Sequence, residues 1–137
     1  MARVAKGTFE VRMNPAGPDG AAADPALGRM TLDKDFHGDL EGTSQGQMLF
    51  AGTAVEGSAG YVAIERVSGT LHGLKGTMVL QHNGIMTRGV GELTIRVVPD
   101  SGTGELEGVA GVMVINVEGE GHFYDLEYTL GDEAGSI

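Results

Sequence analysis

A chain of 137 residues, 41% hydrophobic and with a mean hydropathy near zero, has enough apolar surface for one globular core, and it reads as a single domain over residues 1–137. It holds no cysteine, which excludes a disulfide scaffold and thiolate metal sites, and its four histidines (His37, His72, His82 and His122) fall at no recognised metal spacing, so neither metal nor cofactor is expected. The net charge is −10, with no Lys or Arg after Arg96 and nine carboxylates beyond it; an acidic chain without a basic patch argues against nucleic acid and against anionic membrane surfaces.

Helical periodicity is almost absent, whereas strand signals run throughout. Residues 8–13 alternate, with Phe9, Val11 and Met13 on one face and Thr8, Glu10 and Arg12 on the other. This start lacks an apolar signal-peptide core and reads as a strand. Residues 14–25 (NPAGPDGAAADP) form a breaker-rich loop with three of the four prolines. A strand over 28–39 then puts Met30 and Leu32 on one face and Asp33, Asp35 and His37 on the other. Residues 45–55 alternate Met48 and Phe50 with Leu49 and Ala51, before a turn at 57–60. Residues 61–71 and 77–82 continue the pattern, and Asn83-Gly84 is the strongest hairpin signal in the chain. The return arm covers 85–98, a turn follows at 99–102, and the last strands fall at 109–117 and 122–130. Residues 131–137 read as a frayed tail. The longest apolar runs are only a few residues, too short to span a membrane as a helix, and a cytoplasmic location is the expectation.

Glycine accounts for 24 residues, far above the roughly 7% that is usual. Part of the excess is a repeat. Gly38-Asp39-Leu40-Glu41-Gly42 returns as Gly69-Thr70-Leu71-His72-Gly73 and as Gly104-Glu105-Leu106-Glu107-Gly108. In an extended chain the Gly, Leu and Gly of each copy share a face, so the repeat predicts one strand-corner device used three times, with Leu40, Leu71 and Leu106 buried. The acidic residues between them (Asp39, Glu41, Glu105 and Glu107) then face solvent. Eight or nine antiparallel strands at hairpin spacing predict an all-β fold, and a small closed barrel over residues 7–130 removes the exposed edges.

The segments FHGDLEG, IERVSGTLHGLKG, MVLQHNG, VVPDSGTGELEGVAG and YDLEYTL resemble, in order and over nearly the whole chain, an uncharacterised bacterial family known only as a domain of unknown function. The resemblance implies a barrel similar to allene oxide cyclase. The glycine-rich corner SGTGELEGVAG is also similar in style to that of allene oxide cyclases and dirigent proteins, which hold apolar small molecules and steer their cyclisation or coupling. A shared fold does not by itself carry function across.

No nucleophile elbow, phosphate loop or dinucleotide fingerprint occurs, so chemistry here would be cofactor-free. Glu65 and Arg66 interrupt an apolar strand, YVAIERVSG, and only one of them points inward. With Tyr61, Ala63, Glu65 and Val67 inward, the Glu65 carboxylate enters a lumen with little water, desolvation raises its pKa, and His82 or Tyr128 shares a hydrogen bond with it. With Arg66 inward, the site favours an anionic ligand. The plainer reading is a surface salt bridge, with Lys75 or Asp35 as partner. Likewise only one of Gln81 and His82 lines the lumen; Met78 and Leu80 share the face of His82, a natural proton shuttle. Tyr124 and Tyr128 share a face on the last strand, as core filling or as hydroxyl donors. The catalytic candidates are thus Glu65, His82 and Tyr128, and the ligand-binding candidates Arg66, Gln81, Tyr61, Met78 and Tyr124.

These residues suit a barrel that binds a small, apolar, oxygenated ligand, as a cofactor-free isomerase or cyclase; the alternative is a non-catalytic sequestering protein or oligomeric scaffold. Strands with apolar residues on both faces, around Met48–Phe50 and over 112–117, predict a homo-oligomer, a dimer before a trimer.

Overall fold

A computed structural model describes residues 2–15 and 27–131 of the chain. Among these described residues eight strands follow one another: β1 (Arg3–Pro15), β2 (Leu27–Gly38), β3 (Leu40–Gly52), β4 (Ala59–Leu71), β5 (Leu74–Thr87), β6 (Val90–Val97), β7 (Ala110–Glu118) and β8 (Gly121–Thr129). Each pairs antiparallel with the next, and β8 returns to β1, so the sheet closes into an all-β barrel with almost no helix. Asn14 and Pro15 belong to β1 rather than to a loop; the rest of the expected loop, and the tail after Gly131, lie outside the described residues. Among the described residues no helix is long and apolar enough to cross a membrane.

The period-two alternation decides what lies inside. Phe9, Leu32, Phe36, Leu40, Ala63, Val67, Leu71, Leu80, Ile95, Met113 and Leu126 are buried, while their strand neighbours Val62, Ile64 and Val114 are about half exposed. The interior is not uniform along the barrel axis. At the end where β2 turns into β3 and β4 into β5, it is packed solid with Ala5, Leu40, Leu71, Leu106, Val109, Tyr124 and Tyr128. The opposite end, where β3 meets β4 and β5 meets β6, is open.

The glycine repeat is used in two ways. In its first two copies Leu40 and Leu71 are strand partners, and Gly42 stands opposite Gly69. A Cβ on Gly42 would lie 2.8 Å from the Gly69 Cα, so two strands approach where neither carries a side chain. The third copy departs from the expected strand corner. Gly104 and Gly108 have φ of +61° and +87°, and between them the chain coils into a 3₁₀ turn, Gly104–Leu106. That turn drops Leu106 into the closed end. The segment leading to it covers the edge of β5 that β6 leaves free, through Val98 N–H to the Val79 carbonyl (2.8 Å) and Thr103 N–H to the Thr77 carbonyl (2.9 Å).

The hairpin expected at Asn83-Gly84 does not form. Both residues lie inside β5, and the chain turns later, at Arg88 and Gly89, which take φ of +46° and +90°. Gly84 serves packing instead: a Cβ there would run into the ring of Tyr61 on β4.

Candidate functional site

Halfway along the lumen, where the closed end gives way to the open one, the barrel buries three ionisable side chains. Lys34 comes from β2, Glu65 from β4 and His82 from β5, exposed by only 4%, 1% and 3%. Burying charge is costly unless the charges are paired, and here they are. The Lys34 ammonium donates to Glu65 Oε2 at 2.8 Å, and His82 Nε2 meets the same oxygen at 2.6 Å. The ammonium also lies over the rings of Phe9 and Phe36, at 5.1 and 5.8 Å from their centroids.

Strand positions explain the assembly. Lys34 and Glu65 are separated by β3, about 9–10 Å across two strand spacings. The β3 residues between them are small: Ser44 pairs with Lys34 and Gly46 with Glu65. A Cβ on Gly46 would lie 2.7 Å from the Glu65 Cβ and run into the Ile64 carbonyl. The strand between the partners thus carries little side chain, and the long Lys34 side chain crosses over it. Among the described residues, Ser44 Oγ and Glu65 Oε1 are buried side-chain atoms without a hydrogen-bond partner.

The expected inward face of β4, with Tyr61, Ala63, Glu65 and Val67, is the one observed. The expected direction of the Glu65 pKa is overturned. Burial pushes the carboxyl up, but the hydrogen bond from His82 and the charge of Lys34 outweigh it and hold Glu65 at about 2, below the ordinary 4.5. Glu65 is therefore a fixed anion, not a neutral acid. Of the two partners expected for an inward Glu65, His82 is the one observed and Tyr128 is not; the surface salt bridge to Lys75 or Asp35 does not form, and the second partner is Lys34 inside the barrel. Lys34 is disguised in the sequence by the charged run Asp33-Lys34-Asp35. The signal was present: alternation puts it on the face of Leu32 and Phe36.

The cluster reaches the open end through Tyr61. Its hydroxyl lies 3.4 Å from His82 Nδ1, and burial followed by the charge of Glu65 pushes its pKa up, so the phenol stays neutral. Beyond it opens a cavity of about 490 Å³, lined by Met48, Phe50, Tyr61, Ile85, Met86 and Leu93 among others, with Glu92 at its rim. This is an apolar mouth with one polar hydroxyl on its wall.

The other candidate residues lie elsewhere. Tyr128 does not approach Glu65; it is buried at the closed end, with its hydroxyl against His72 Nδ1. Tyr124 is buried there too. Its hydroxyl accepts from the Leu40 N–H at 2.9 Å and lies 3.0 Å from the carbonyls of His37 and Leu40, so it ties the first corner to β8. Met78 is fully buried in the core. Arg66 and Gln81 are exposed on the outside of the barrel, because each neighbours an inward residue, Glu65 or His82. They border the larger concavity, about 790 Å³, with Leu49, Val62 and Ile64. Among the described residues that surface buries no ionisable group, and the smaller mouth above the cluster is the better candidate.

Fold and site together define a small, closed, meandering β-barrel with a paired charge cluster in its lumen and an apolar mouth at one end. The chain belongs to the DUF3224 family, described as a protein of unknown function, whose family model matches residues 5–128. It is similar to a solved structure described as a protein with unknown function from that family in Shewanella oneidensis MR-1. The two share 49% identity and a TM-score of 0.89, over 95% of this chain and 98% of that one. The bacterial family and the barrel read from the sequence are both borne out. No curated protein matches the chain.

Proposed function

We propose that this barrel binds a small, apolar, oxygen-bearing molecule in its open mouth, with the ligand oxygen at Tyr61. One observation carries the reading: the only aromatic hydroxyl lining the apolar mouth, Tyr61, is linked through His82 to the ionised Glu65 and its counter-ion Lys34. A hydroxyl backed by an imidazole, itself oriented by a carboxylate, is arranged as nucleophile–base–orienter groups are. With a phenol at its tip, this chain suits hydrogen bonding and proton exchange with a ligand oxygen rather than covalent attack. An isomerase or cyclase role would run through His82 and Tyr61, with Glu65 holding the imidazole. A sequestering role is favoured by a different observation: Glu65 is already engaged by two donors, so it is no free base.

The test uses the neutral fluorescent probe N-phenyl-1-naphthylamine. Gly91 lines the mouth, and a Cβ there would meet nothing within 4 Å, so Gly91→Trp fills the cavity without a backbone clash. Binding by the wild type and its loss in Gly91→Trp support the reading. Absence of binding, or equal binding by both proteins, removes it. Mass spectrometry of organic extracts from the natively purified protein would then identify the occupant.

A further inference from the structure

We infer that the mouth selects neutral ligands carrying a hydroxyl group, and that Tyr61 meets that hydroxyl as an acceptor while His82 is neutral. This rests on the ligand-binding reading above and names its chemical class.

The donors and acceptors along the cluster fix where each proton sits. Glu65 Oε2 is a carboxylate oxygen and can only accept. The Lys34 ammonium can only donate, and it does so at 2.8 Å. His82 Nε2 meets that oxygen at 2.6 Å, so Nε2 must carry a hydrogen. In a neutral imidazole the other nitrogen, Nδ1, is then a bare acceptor. The group beside it is the Tyr61 hydroxyl, which directs its one hydrogen to Nδ1. What Tyr61 has left for the mouth is its oxygen lone pairs. A ligand hydroxyl can donate to them; a ketone or ether oxygen cannot.

The charge of the mouth points the same way. Lys34 is matched by Glu65, and Arg66 stands on the outer face. The ionisable side chains lining the mouth itself are Tyr61, a neutral phenol, and Glu92, a carboxylate at the rim. Among the described lining residues there is no cation to receive a carboxylate, and Glu92 opposes one. The ligand class is therefore a neutral alcohol or phenol on an apolar skeleton that fits within about 490 Å³.

The experiment is displacement of bound N-phenyl-1-naphthylamine by four molecules sharing one skeleton: 2-naphthol, 2-acetonaphthone, 2-naphthoate and naphthalene. At about pH 8 the naphthol is expected to bind about fivefold more tightly than naphthalene and the ketone, the worth of one neutral hydrogen bond, with the carboxylate weakest. Tyr61→Phe should level the naphthol, ketone and naphthalene. Equal displacement by naphthol and naphthalene in the wild type, or a preference for the naphthoate, overturns this inference and leaves ligand binding standing. Displacement by none of the four overturns this inference, whereas failure of the probe itself to bind overturns the ligand-binding reading.

Discussion

The ring of Tyr61 fills the space that a side chain at Gly84 would need. The two residues face each other across β4 and β5, and a Cβ on Gly84 would lie 2.6 Å from Tyr61 Cδ1. A glycine in the middle of a strand is thus the seat of the hydroxyl that the mouth presents to a ligand. Gly84→Ala should push the ring off this seat, costing about 1–3 kcal/mol, typical of overpacking. Urea titration gives the stability, and the Tyr61 ring resonances report the movement. A loss below about 0.5 kcal/mol with unmoved resonances would remove the role assigned to Gly84.

Glu65 and Lys34 should be far more costly to separate than to remove together. Glu65→Gln leaves the Lys34 ammonium buried without its counter-charge, a loss of about 3–5 kcal/mol. The double variant Lys34→Met, Glu65→Leu replaces charge with apolar volume and should recover most of that loss. A double-mutant cycle checks the coupling. Additive single effects would mean that the two groups do not act as a pair.

The same pair predicts acid sensitivity of a definite sign. Glu65 has a pKa of about 2 when folded, against an ordinary 4.5, so the folded state holds this proton more weakly than the unfolded state. Its contribution, roughly 3 kcal/mol, is fully present above the ordinary value and disappears as the pH falls toward about 2. Denaturation curves between about pH 6 and 2 should fall more steeply for the wild type than for the double variant. Parallel curves would contradict the ionised state of Glu65.

Tyr124 and Tyr61 should separate stability from ligand binding. Tyr124→Phe strips the Leu40 N–H of its buried acceptor and should cost about 1–3 kcal/mol. It lies at the closed end and should leave probe affinity at the mouth unchanged. Leu106→Ala, in the 3₁₀ turn at that end, should cost about 2–5 kcal/mol, again without touching the mouth. Loss of probe binding in folded Tyr124→Phe would mean that the two ends of the barrel are coupled.

The outer face of β3 and β4 leads us to propose a homo-oligomer, a dimer first. Leu49, Val62 and Ile64 are 56%, 50% and 49% exposed and border one concavity, an apolar surface that suits a partner. Light scattering should return a multiple of the 14.2 kDa chain, and Val62→Lys with Ile64→Lys should reduce it to the monomer. A monomeric wild type at micromolar concentration would end this proposal.

Much of the architecture was legible in the amino-acid order because strand periodicity is local. Alternation alone placed Tyr61, Ala63, Glu65 and Val67 on one face and His82 with Met78 and Leu80 on another, and the repeated glycines marked where strands crowd together. The same rule placed Lys34 beside Leu32 and Phe36, although its acidic neighbours disguised it. Three things were decided only by the tertiary structure. Asn83-Gly84 stayed in a strand because both residues are paired on two sides, with Val62 and Tyr61 of β4 and with Thr94 and Leu93 of β6, a long-range demand that outweighed the local turn preference. The third glycine repeat coiled into a 3₁₀ turn because β6 ends early and the edge of β5 needed covering. Finally, β2, β4 and β5 had to close around one lumen before Lys34, Glu65 and His82 could meet. Desolvation of Glu65 could be foreseen from its apolar strand. The opposing charge that reverses its effect comes from a residue 31 positions away, brought near by register and barrel closure rather than by anything adjacent in the chain.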